Sequence, residues 1–400
     1  MAKNRRRAPP DPKFRRSRHI VCYWKRGHFV FHNYARGRIA GASGLACEVL
    51  DFCEAWRSAG EICSLRPSAR PEAIQALIDG LTAKGLLERS DRPRLAEEQA
   101  MDTLDRWNPE AGFFHSATRN VTFTDGRTAE AELREQARTW PMPAATKPRS
   151  GGAIALERPR AESELERVLL DRRSWRRFGK GAIPLATFGR ILGLTAGIQY
   201  WIDVPAQGRI ALKTAPSGGA RHPVEVYVLS WRIRGLPKGL YHYAADRHAL
   251  EPIKAGLGSG RIPKYLPAGD YFRHACALII FTAVYERDLW RYKYSRAYRA
   301  PLVEAGHLCQ TFCLLATSHN LAPFCAMGLG DSSLERDLGI DGIRESALYV
   351  AGVGVRPPDT AWAPAPEGFR RPAIRPNPFV LDPDGRSMAA PDRARPRKRA

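Results

Sequence analysis

The stretch Ala215-Pro-Ser-Gly-Gly-Ala-Arg-His-Pro223 runs directly into Val224-Glu-Val-Tyr-Val228, a valine-rich segment typical of a strand. The adjacent Gly218 and Gly219 allow the backbone to approach a ligand closely, and Ser217 beside them offers a hydroxyl donor. The same composition also suits an ordinary loop that precedes a strand. The segment therefore predicts a loop-to-strand junction that is either a binding loop or a plain turn.

A cluster of arginines lies upstream, in Asp171-Arg-Arg-Ser-Trp-Arg-Arg-Phe178. Four guanidinium groups within six residues cannot be buried without partners. Together with the Ser174 hydroxyl they can form a bidentate anion site, although basic surface turns are common. The cluster follows a predicted helix that begins at the capping box Ser163-Glu-Leu-Glu166. The residues that this helix is expected to turn inward are Leu165, Val168 and Leu169.

Two further segments lie downstream of the loop. In Trp290-Arg-Tyr-Lys-Tyr-Ser-Arg296, the adjacent Lys293 and Tyr294 can form an acid–base unit, because a nearby ammonium favours the phenolate form of a tyrosine. On spacing alone, an exposed aromatic and basic strip is the better interpretation. The second segment, Cys325-Ala-Met-Gly-Leu-Gly-Asp331, can pass its backbone across a flat cofactor or can simply end a strand.

Helical and strand patterns are mixed along the second half of the chain, which predicts an α+β sandwich around one sheet. Pro184 opens a predicted helix, and a nearly all-apolar helix is predicted from Leu302 to His319. The predicted strands are Val224 to Trp231, Ala277 to Val284 and Ala347 to Val355.

The N-terminal part is predicted to be a separate winged-helix-like domain over residues 19–90. It contains a predicted strand at Phe29 to Tyr34, a helix at Gly44 to Trp56, a helix that starts near Pro71 and ends near Gly85, and a strand at Leu86 to Arg89. The remaining predicted boundaries are a basic tail at 1–18, a linker with helical segments at 91–160, the large domain at 161–385 and a second basic tail at 386–400.

Composition narrows the class of protein. The chain has 400 residues, 44% of them hydrophobic, and no apolar run long enough for a signal peptide or a membrane span. None of its eight cysteines forms a C-x-x-C pair, so a zinc site is not expected, and reduced cysteines agree with a cytoplasmic location. The net charge of +22 indicates either solubilising tails or an acidic partner.

The order of the motifs is more specific than any one of them. R-R-S-x-R-R-F, P-S-G-G, K-Y, Y-R-x-x-L-V-E-A-G-H, the glycine-rich turn and V-A-G-V-G follow one another over about residues 163–356. This set resembles the azoline-oxidising branch of the flavin nitroreductases, the SagB-type dehydrogenases of thiazole- and oxazole-containing peptides. The resemblance implies a nitroreductase-like FMN-binding sandwich, with FMN at the interface of an obligate homodimer.

The resemblance also assigns roles to individual residues. Lys293 and Tyr294 match a pair needed for oxidation, with Tyr294 as the base and Lys293 tuning it. The loop at Pro216 lies against the flavin in relatives, often from the second subunit, and Arg221 stands where relatives carry an apolar residue. The residues that match FMN contacts are Arg172, Arg173, Ser174, Arg176, Pro216, Ser217, Gly218, Met327, Gly328, Leu329 and Arg356.

The implied activity is an FMN-dependent oxidation, in natural-product maturation, of azolines in a ribosomally synthesised precursor peptide, with molecular oxygen as the final acceptor. Alternatives are Cα–Cβ desaturation of another peptide residue and an NAD(P)H-dependent nitro or quinone reductase. The N-terminal domain resembles leader-recognition domains, in which a peptide adds a strand to a sheet edge, although a scaffold role fits equally. Other peptide-modifying enzymes are further candidate partners. A winged-helix nucleic-acid binder ranks last, because no recognition helix is apparent.

Overall fold

The computed structural model describes residues 11–123, 126–145, 147, 154, 156 and 161–358. Its strands are β1 (Lys13–Arg16), β2 (Ile20–Lys25), β3 (His28–Asn33), β4 (Arg38–Gly41), β5 (Arg57–Ser58), β6 (Leu87–Arg89), β7 (Ile183–Pro184), β8 (Ile198–Val204), β9 (Gly208–Lys213), β10 (Val224–Ser230), β11 (Ile233–Arg234), β12 (Gly239–Ala244), β13 (Ala249–Ala255), β14 (Ala277–Val284), β15 (Leu321–Ala326) and β16 (Glu345–Val355). Its α-helices are α1 (Gly44–Phe52), α2 (Ala59–Cys63), α3 (Pro71–Ala83), α4 (Ala96–Asp102), α5 (Pro109–Ala117), α6 (Gly126–Thr139), α7 (Glu164–Asp171), α8 (Leu185–Ala196), α9 (Ile262–Tyr265), α10 (Tyr285–Arg291), α11 (Arg299–Ser318) and α12 (Asp331–Leu338).

A six-stranded antiparallel sheet organises the large domain, in the order β13-β12-β10-β14-β16-β15. The central strand β14 is apolar at every position except Thr282 and is buried over nearly its whole length, because both faces of the sheet are covered. Strand β15 lies at the edge and pairs only with β16, where Phe324 stands opposite Gly352. A side chain at Gly352 would overlap the Phe324 ring, so the sheet needs glycine there.

Helices cover both faces of this sheet, which confirms the predicted α+β sandwich. On one face α8 and α11 contribute Phe188, Ile191 and Phe312 to the core. On the other face α9 and α12 contribute Tyr265 and Leu334. Alternating sheet residues fill the two cores, as expected for a sheet that is buried on both sides.

The N-terminal domain combines a three-stranded sheet, β5-β1-β6, with α1, α2 and α3, and adds the antiparallel sheet β2-β3-β4. This arrangement agrees with the winged-helix-like prediction. The predicted basic tail at 1–18 was too long, because β1 pairs with β6 through Phe14 and Arg89. Phe14 is buried in the domain core, while the basic residues around it lie at the surface or pair with acids. Residues 386–400 lie outside the described residues.

The segment at 91–123 contains helices α4 and α5, and its residues pack against both domains. The expected loop at Trp107 leads into α5, because the Asn108 side chain accepts a hydrogen bond from Ala111 N–H and Pro109 occupies the first helical turn. Trp107 packs edge-on against Tyr285 at the end of the large sheet, with ring centroids 4.9 Å apart. None of the helices in the described ranges is long and apolar enough to cross a lipid bilayer.

Helix α7 begins as predicted, with Ser163 and Glu166 forming a reciprocal capping box. The prediction that its apolar residues turn inward was wrong. Leu165 is 62% exposed and Leu169 is 46% exposed, and α7 buries no residue. The helix borders α11 along one side only, so its apolar stripe remains on the surface of the single chain.

Candidate active site

The arginine turn, residues 172–177, starts where α7 ends and follows the free edge of the large sheet. Trp175 N–H donates to Pro323 O in β15 at 2.8 Å, and Gly179 N–H donates to Val355 O at 2.8 Å. These bonds hold the turn in an extended conformation beside β15. Its arginines therefore lie along the edge of the sheet. The predicted anion site therefore has a defined backbone support.

Arg172, Arg173 and Arg176 form no ion pair with a carboxylate of any described residue. Arg173 Nη1 donates to Leu170 O at 2.6 Å and to Arg172 O at 2.8 Å, which leaves its other donors available. Arg172 Nη1 lies 3.5 Å from Ser174 Oγ. This donor set of guanidinium groups and a hydroxyl suits a phosphate.

Arg356 fastens the arginine turn to the rest of the domain. Its Nε donates to Leu321 O at 3.0 Å and its Nη2 to Thr317 O at 3.4 Å, while the guanidinium lies 5.3 Å from the Trp175 ring centroid. Burial lowers the pKa of Arg356. The predicted phosphate contact therefore already uses two of its donors on carbonyl groups. Trp175 Nε1 is buried here without a partner among the described residues.

The predicted contact at Met327, Gly328 and Leu329 directly follows β15. Met327 is largely exposed, whereas Leu329 is buried in the core beneath the sheet, so only the backbone of Leu329 can face a ligand. A side chain at Gly328 would contact the Phe123 ring. Cys325, which precedes this turn, lies close to the arginine turn: a hydrogen bond from Cys309 and the charges of Arg172 and Arg176 lower its pKa.

The glycine loop, Pro216–Ala220, lies elsewhere on the domain. His307 Nδ1 donates to Pro216 O at 3.1 Å, and Ser217 Oγ accepts a bond from His222 N–H at 2.9 Å. Gly219 has a φ of 62°, and a side chain there would come within 2.8 Å of the Tyr292 hydroxyl. The loop thus packs against the segment that contains the predicted catalytic pair.

Lys293 and Tyr294 follow α10 in an extended segment, and both side chains are exposed. The Tyr294 ring is tilted against the Tyr292 ring, with centroids 6.1 Å apart. The residues just before this pair, Arg291 and Tyr292, contact the glycine loop at Gly219. No hydrogen bond or ion pair in the described parts of the chain joins these residues to the arginine turn.

Sequence reasoning missed a buried acid pair, Asp288 of α10 and Glu304 of α11, beside the glycine loop. Asp288 is 2% exposed and Glu304 is 4% exposed. Neither carboxylate oxygen of Asp288 has a hydrogen-bond partner among the described residues. Burial and the nearby Glu304 raise the pKa of Asp288 to about 7, and Arg221 opposes this. The signal available in the sequence was an acidic residue, Glu304, within the nearly all-apolar stretch of α11.

A neighbouring acid, Glu225 of β10, is partly buried and has charged partners. His242 Nε2 lies 2.8 Å from Glu225 Oε2, and Arg287 forms an ion pair with Oε1. Burial disfavours the charged form of Glu225, but His242 and Arg287 outweigh it and lower its pKa to about 2. The hydrogen bond with Glu225 also raises the pKa of His242 to about 9. Asp288 lacks such partners.

Comparison with known proteins agrees with this geometry. Residues 169–355 match the sequence profile of the nitroreductase family. This match covers just under half of the chain. The resemblance and the fold expected from the ordered motifs are therefore confirmed for this domain.

The chain is also similar to two bacterial proteins. The trifolitoxin-processing protein TfxB of Rhizobium leguminosarum bv. trifolii is 30% identical over 169 residues, which cover 40% of this chain and 43% of TfxB. The microcin B17-processing protein McbC of Escherichia coli is 31% identical over 145 residues, 35% of this chain and 53% of McbC. The chain thus matches about half or less of the length of each.

A solved structure is also similar to this chain. A chain of the E. coli microcin synthetase McbBCD complex with truncated pro-MccB17 bound aligns with a TM-score of 0.46 and 21% identity. The alignment covers 66% of this chain and 98% of that chain.

Proposed function

We propose that this protein is an FMN-dependent dehydrogenase that oxidises azolines of a ribosomally synthesised precursor peptide to thiazoles or oxazoles. The observation that carries the proposal is that Arg172, Arg173 and Arg176 of the arginine turn form no ion pair with a described carboxylate and lie at the sheet edge, within the residues that match the nitroreductase family. The names of TfxB and McbC, which describe processing of trifolitoxin and microcin B17, support a peptide substrate.

The donor set fits FMN. Arg172, Arg173 and Arg176 would neutralise and hydrogen-bond its phosphate, and Ser174 would add a hydroxyl donor. The exposed backbone of Gly218 offers a surface without a side chain, on which a flat ring can lie. When bound, FMN supplies a two-electron acceptor for a hydride.

The arginine turn and the glycine loop share no hydrogen bond among the described residues. This agrees with a homodimer in which each flavin site takes residues from both protomers. Apolar side chains remain exposed on elements of the nitroreductase domain, as expected for a surface that a second copy covers. They include Leu165 and Leu169 of α7, Tyr200, Trp201 and Ile202 of β8, and Leu302 and Val303 of α11. Light scattering on the purified protein should give the mass of a dimer, and a monomer that still binds FMN would contradict the shared site.

The reaction requires the removal of a proton from the azoline α-carbon and of a hydride from the β-carbon. Tyr294 is the proposed base, because its exposed phenol oxygen can approach a bound peptide. Lys293, next to it in the chain, is the proposed second member of the pair. The exposed position of both residues suits a substrate that is a peptide rather than a small molecule sealed in a cavity.

The test uses a synthetic peptide with one thiazoline, the FMN-loaded protein and air. We expect loss of two hydrogen atoms by mass spectrometry. Lys293→Ala and Tyr294→Phe should each lower turnover by ~10²- to 10⁴-fold and retain FMN. Loss of FMN from these variants would indicate a structural role. NAD(P)H consumption with a quinone and no reaction with peptide would favour a small-molecule reductase, and oxidation away from the ring would favour Cα–Cβ desaturation.

A groove of about 770 Å³ in the N-terminal domain is the proposed binding surface for the leader part of the precursor. It lies between β2 and α1, with Phe29, Phe31 and Leu50 among its apolar residues. Arg15, Arg16 and Arg18 line it together with Asp51 and Glu54. An extended peptide with apolar and acidic side chains would complement the apolar part and the arginines.

The free edge of β2 gives this groove hydrogen-bonding groups. Tyr34 N–H donates to His19 O at 3.0 Å, and Ile20 stands opposite Asn33 in the antiparallel register. In this register the N–H and C=O groups of Ile20 and Cys22 point away from β3. Both residues line the groove, so a bound peptide can add a strand there.

Replacement of Cys22 tests the added strand. Cys22→Pro removes the outward N–H of an edge strand, which such a strand tolerates, and should weaken binding of a labelled synthetic leader peptide about tenfold. Cys22→Ala keeps the N–H and serves as the matched control. Equal leader affinity of the two variants in fluorescence anisotropy would contradict strand addition at β2 and favour a scaffold role for the domain.

A further inference from the structure

We propose that helix α5 and the loop before it position Lys293 and Tyr294 for the reaction, and that Ser295 is the residue through which they do so. This inference rests on the proposed function, because it concerns the same catalytic pair. Ser295 acts through its neighbour Tyr294 and is therefore a positioning residue. The proposal depends on three features: the lack of other support for the pair, the contacts on both sides of it, and the anchoring of α5 itself.

The pair has little support from its own side chains. Both are exposed, and neither has a hydrogen-bond or ion-pair partner in the parts of the chain that the structure describes. A displacement of about 1 Å from the reactive geometry can lower a rate by ~10²-fold. The backbone of the catalytic segment, residues 292–298, must therefore be held by its neighbours if Lys293 and Tyr294 are to act.

Two hydrogen bonds from the loop before α5 hold the backbone on either side of the pair. Arg106 Nη1 donates to Leu289 O in the last turn of α10 at 2.5 Å, and Asn108 N–H donates to Ser295 Oγ at 2.8 Å. The two donors are two positions apart in the chain, whereas the two acceptors lie before and after the pair. Because Ser295 directly follows Tyr294, its hydroxyl fixes the C-terminal side of the pair.

Helix α5 also holds the end of the catalytic segment, through His115. This histidine is 1% exposed, and its Nε2 donates to Gly342 O at 2.9 Å. Its Nδ1 therefore accepts the hydrogen bond of the Tyr298 hydroxyl, at 3.3 Å. Burial lowers the pKa of His115 to about 4, so the ring keeps this acceptor at neutral pH. The Trp107 ring packs edge-on against the same tyrosine, with centroids 5.1 Å apart.

The N-terminal domain in turn anchors α5. Phe113 packs against Tyr23 of β2 and His32 of β3, with ring centroids 5.6 and 5.3 Å apart. Gly112 lies against the Tyr34 ring, and a side chain there would come within 2.8 Å of it. The helix thus contacts the two strands on one side and the catalytic segment on the other. The catalytic pair lies within the residues that match the nitroreductase family, but the residues that hold it, 106–115, precede them.

Replacement of Ser295 tests the contact without turnover. Ser295→Ala removes the acceptor of Asn108 N–H. Hydrogen–deuterium exchange with mass spectrometry should show about two- to tenfold faster exchange in the peptides that contain Asn108 and Ala297, whose N–H donates to Tyr294 O. Ser295→Thr keeps the hydroxyl and should exchange like the wild type. Ser318→Ala removes an exposed hydroxyl at the far end of α11 and is the matched control. Wild-type exchange in Ser295→Ala would overturn the proposal.

Turnover of the thiazoline peptide by the full-length, FMN-loaded protein gives the second readout. Ser295→Ala should lower kcat about tenfold with KM and bound FMN unchanged, because substrate and flavin still bind while the pair is less often in position. Ser295→Thr should retain the wild-type kcat, and Arg106→Ala, which releases the other side of the pair, should lower it by a similar factor.

The outcomes separate this inference from the proposed function. Faster exchange in Ser295→Ala with the wild-type kcat would overturn the positioning role and leave the proposed function intact. Loss of FMN or a raised KM would indicate a general structural role and would also overturn it. Wild-type protein that oxidises no peptide would overturn the proposed function and the positioning role with it, whereas hydrogen exchange would still decide whether α5 holds the segment.

Discussion

Arg172, Arg173 and Arg176 of the arginine turn form no ion pair with a described carboxylate, and neither oxygen of Asp288 has a described hydrogen-bond partner, but the two sites differ in their access to water. Arg172, Arg173 and Arg176 lie at the edge of the sheet, where solvent reaches their guanidinium groups. Asp288 and Glu304 are sealed between α10, α11 and the glycine loop. Water and salt can screen the first set, and neither can reach the second.

This difference indicates which partner each set requires. Solvated arginines remain charged without a partner at little cost, so an anion that arrives from solution can displace water from them. A buried carboxylate without partners is unfavourable in its charged form even before a ligand binds, because desolvation destabilises the charge. The turn is therefore expected to bind a phosphate, whereas the acid pair is expected to bind a proton.

The largest expected effect belongs to the arginine turn. The double replacement Arg172→Ala and Arg176→Ala removes two charged hydrogen-bond donors, each of which contributes about 1.5–3 kcal/mol. The affinity for FMN should fall by ~10²- to 10⁴-fold, as measured by equilibrium dialysis. Arg167→Ala, which removes an exposed arginine from the adjacent helix α7, should leave the affinity unchanged. Unchanged FMN binding in the double variant would move the phosphate site away from the turn.

The acid pair predicts a dependence of stability on pH. The pKa of Asp288 rises from 3.8 to about 7 on folding, so the folded state binds this proton more tightly than the unfolded state. The resulting stabilisation is complete below about pH 4 and is lost as the pH rises through about 7. Between these two pH limits it changes the free energy of unfolding by on the order of 4 kcal/mol.

Urea denaturation at pH 5 and pH 8 measures this stabilisation. The free energy of unfolding of the wild type, relative to that of Asp288→Asn, should decrease between pH 5 and pH 8. The same comparison with Glu286→Gln, on the exposed side of α10, should change little. A difference between wild type and Asp288→Asn that is independent of pH would mean that Asp288 is ionised in the folded protein at both pH values, and the contrast with the arginine turn would fail.

The two regions also differ in how far the sequence predicted them. Local patterns were sufficient for the capping box at Ser163, for strand β14 and for the glycine loop, because each depends on residues close together in the chain. The alignment of the arginine turn with β15 depends on one long-range hydrogen bond, from Trp175 to Pro323, which no local pattern encodes. The acid pair arises only when α10 and α11 fold against each other.

The apolar stripe of α7 shows a different limit. Leu165 and Leu169 have the spacing of a buried helix face, and the sequence pattern identified that face correctly as apolar. Periodicity does not tell whether such a face is covered by the same chain or by another one. The exposed stripe therefore became informative only when the fold showed that α11 covers one side of the helix.

The smallest expected effect concerns the glycine loop, which contacts Arg291 and Tyr292 through Gly219. Gly219 has a φ of 62°, and a side chain there would come within 2.8 Å of Arg291 Cδ and the Tyr292 hydroxyl. Gly27, in the turn between β2 and β3, has a φ of 81° and open space around it. Gly27→Ala should therefore cost only the strain of the left-handed backbone, about 1–2 kcal/mol, as measured by urea denaturation.

Gly219→Ala should cost more than Gly27→Ala by about 1–3 kcal/mol, because the added methyl group must displace its neighbours. If the loop moves, Arg221 and His222 move with it, and water gains access to Asp288. Infrared difference spectra against the matching Asp288→Asn variant would follow the carbonyl band of protonated Asp288. The pH midpoint at which this band disappears should fall below that of the wild type, because solvation favours the carboxylate. Equal stability of the two alanine variants would show that the loop tolerates the methyl group. An unchanged midpoint in a destabilised Gly219→Ala variant would show that α10 and α11 seal the acid pair without the loop.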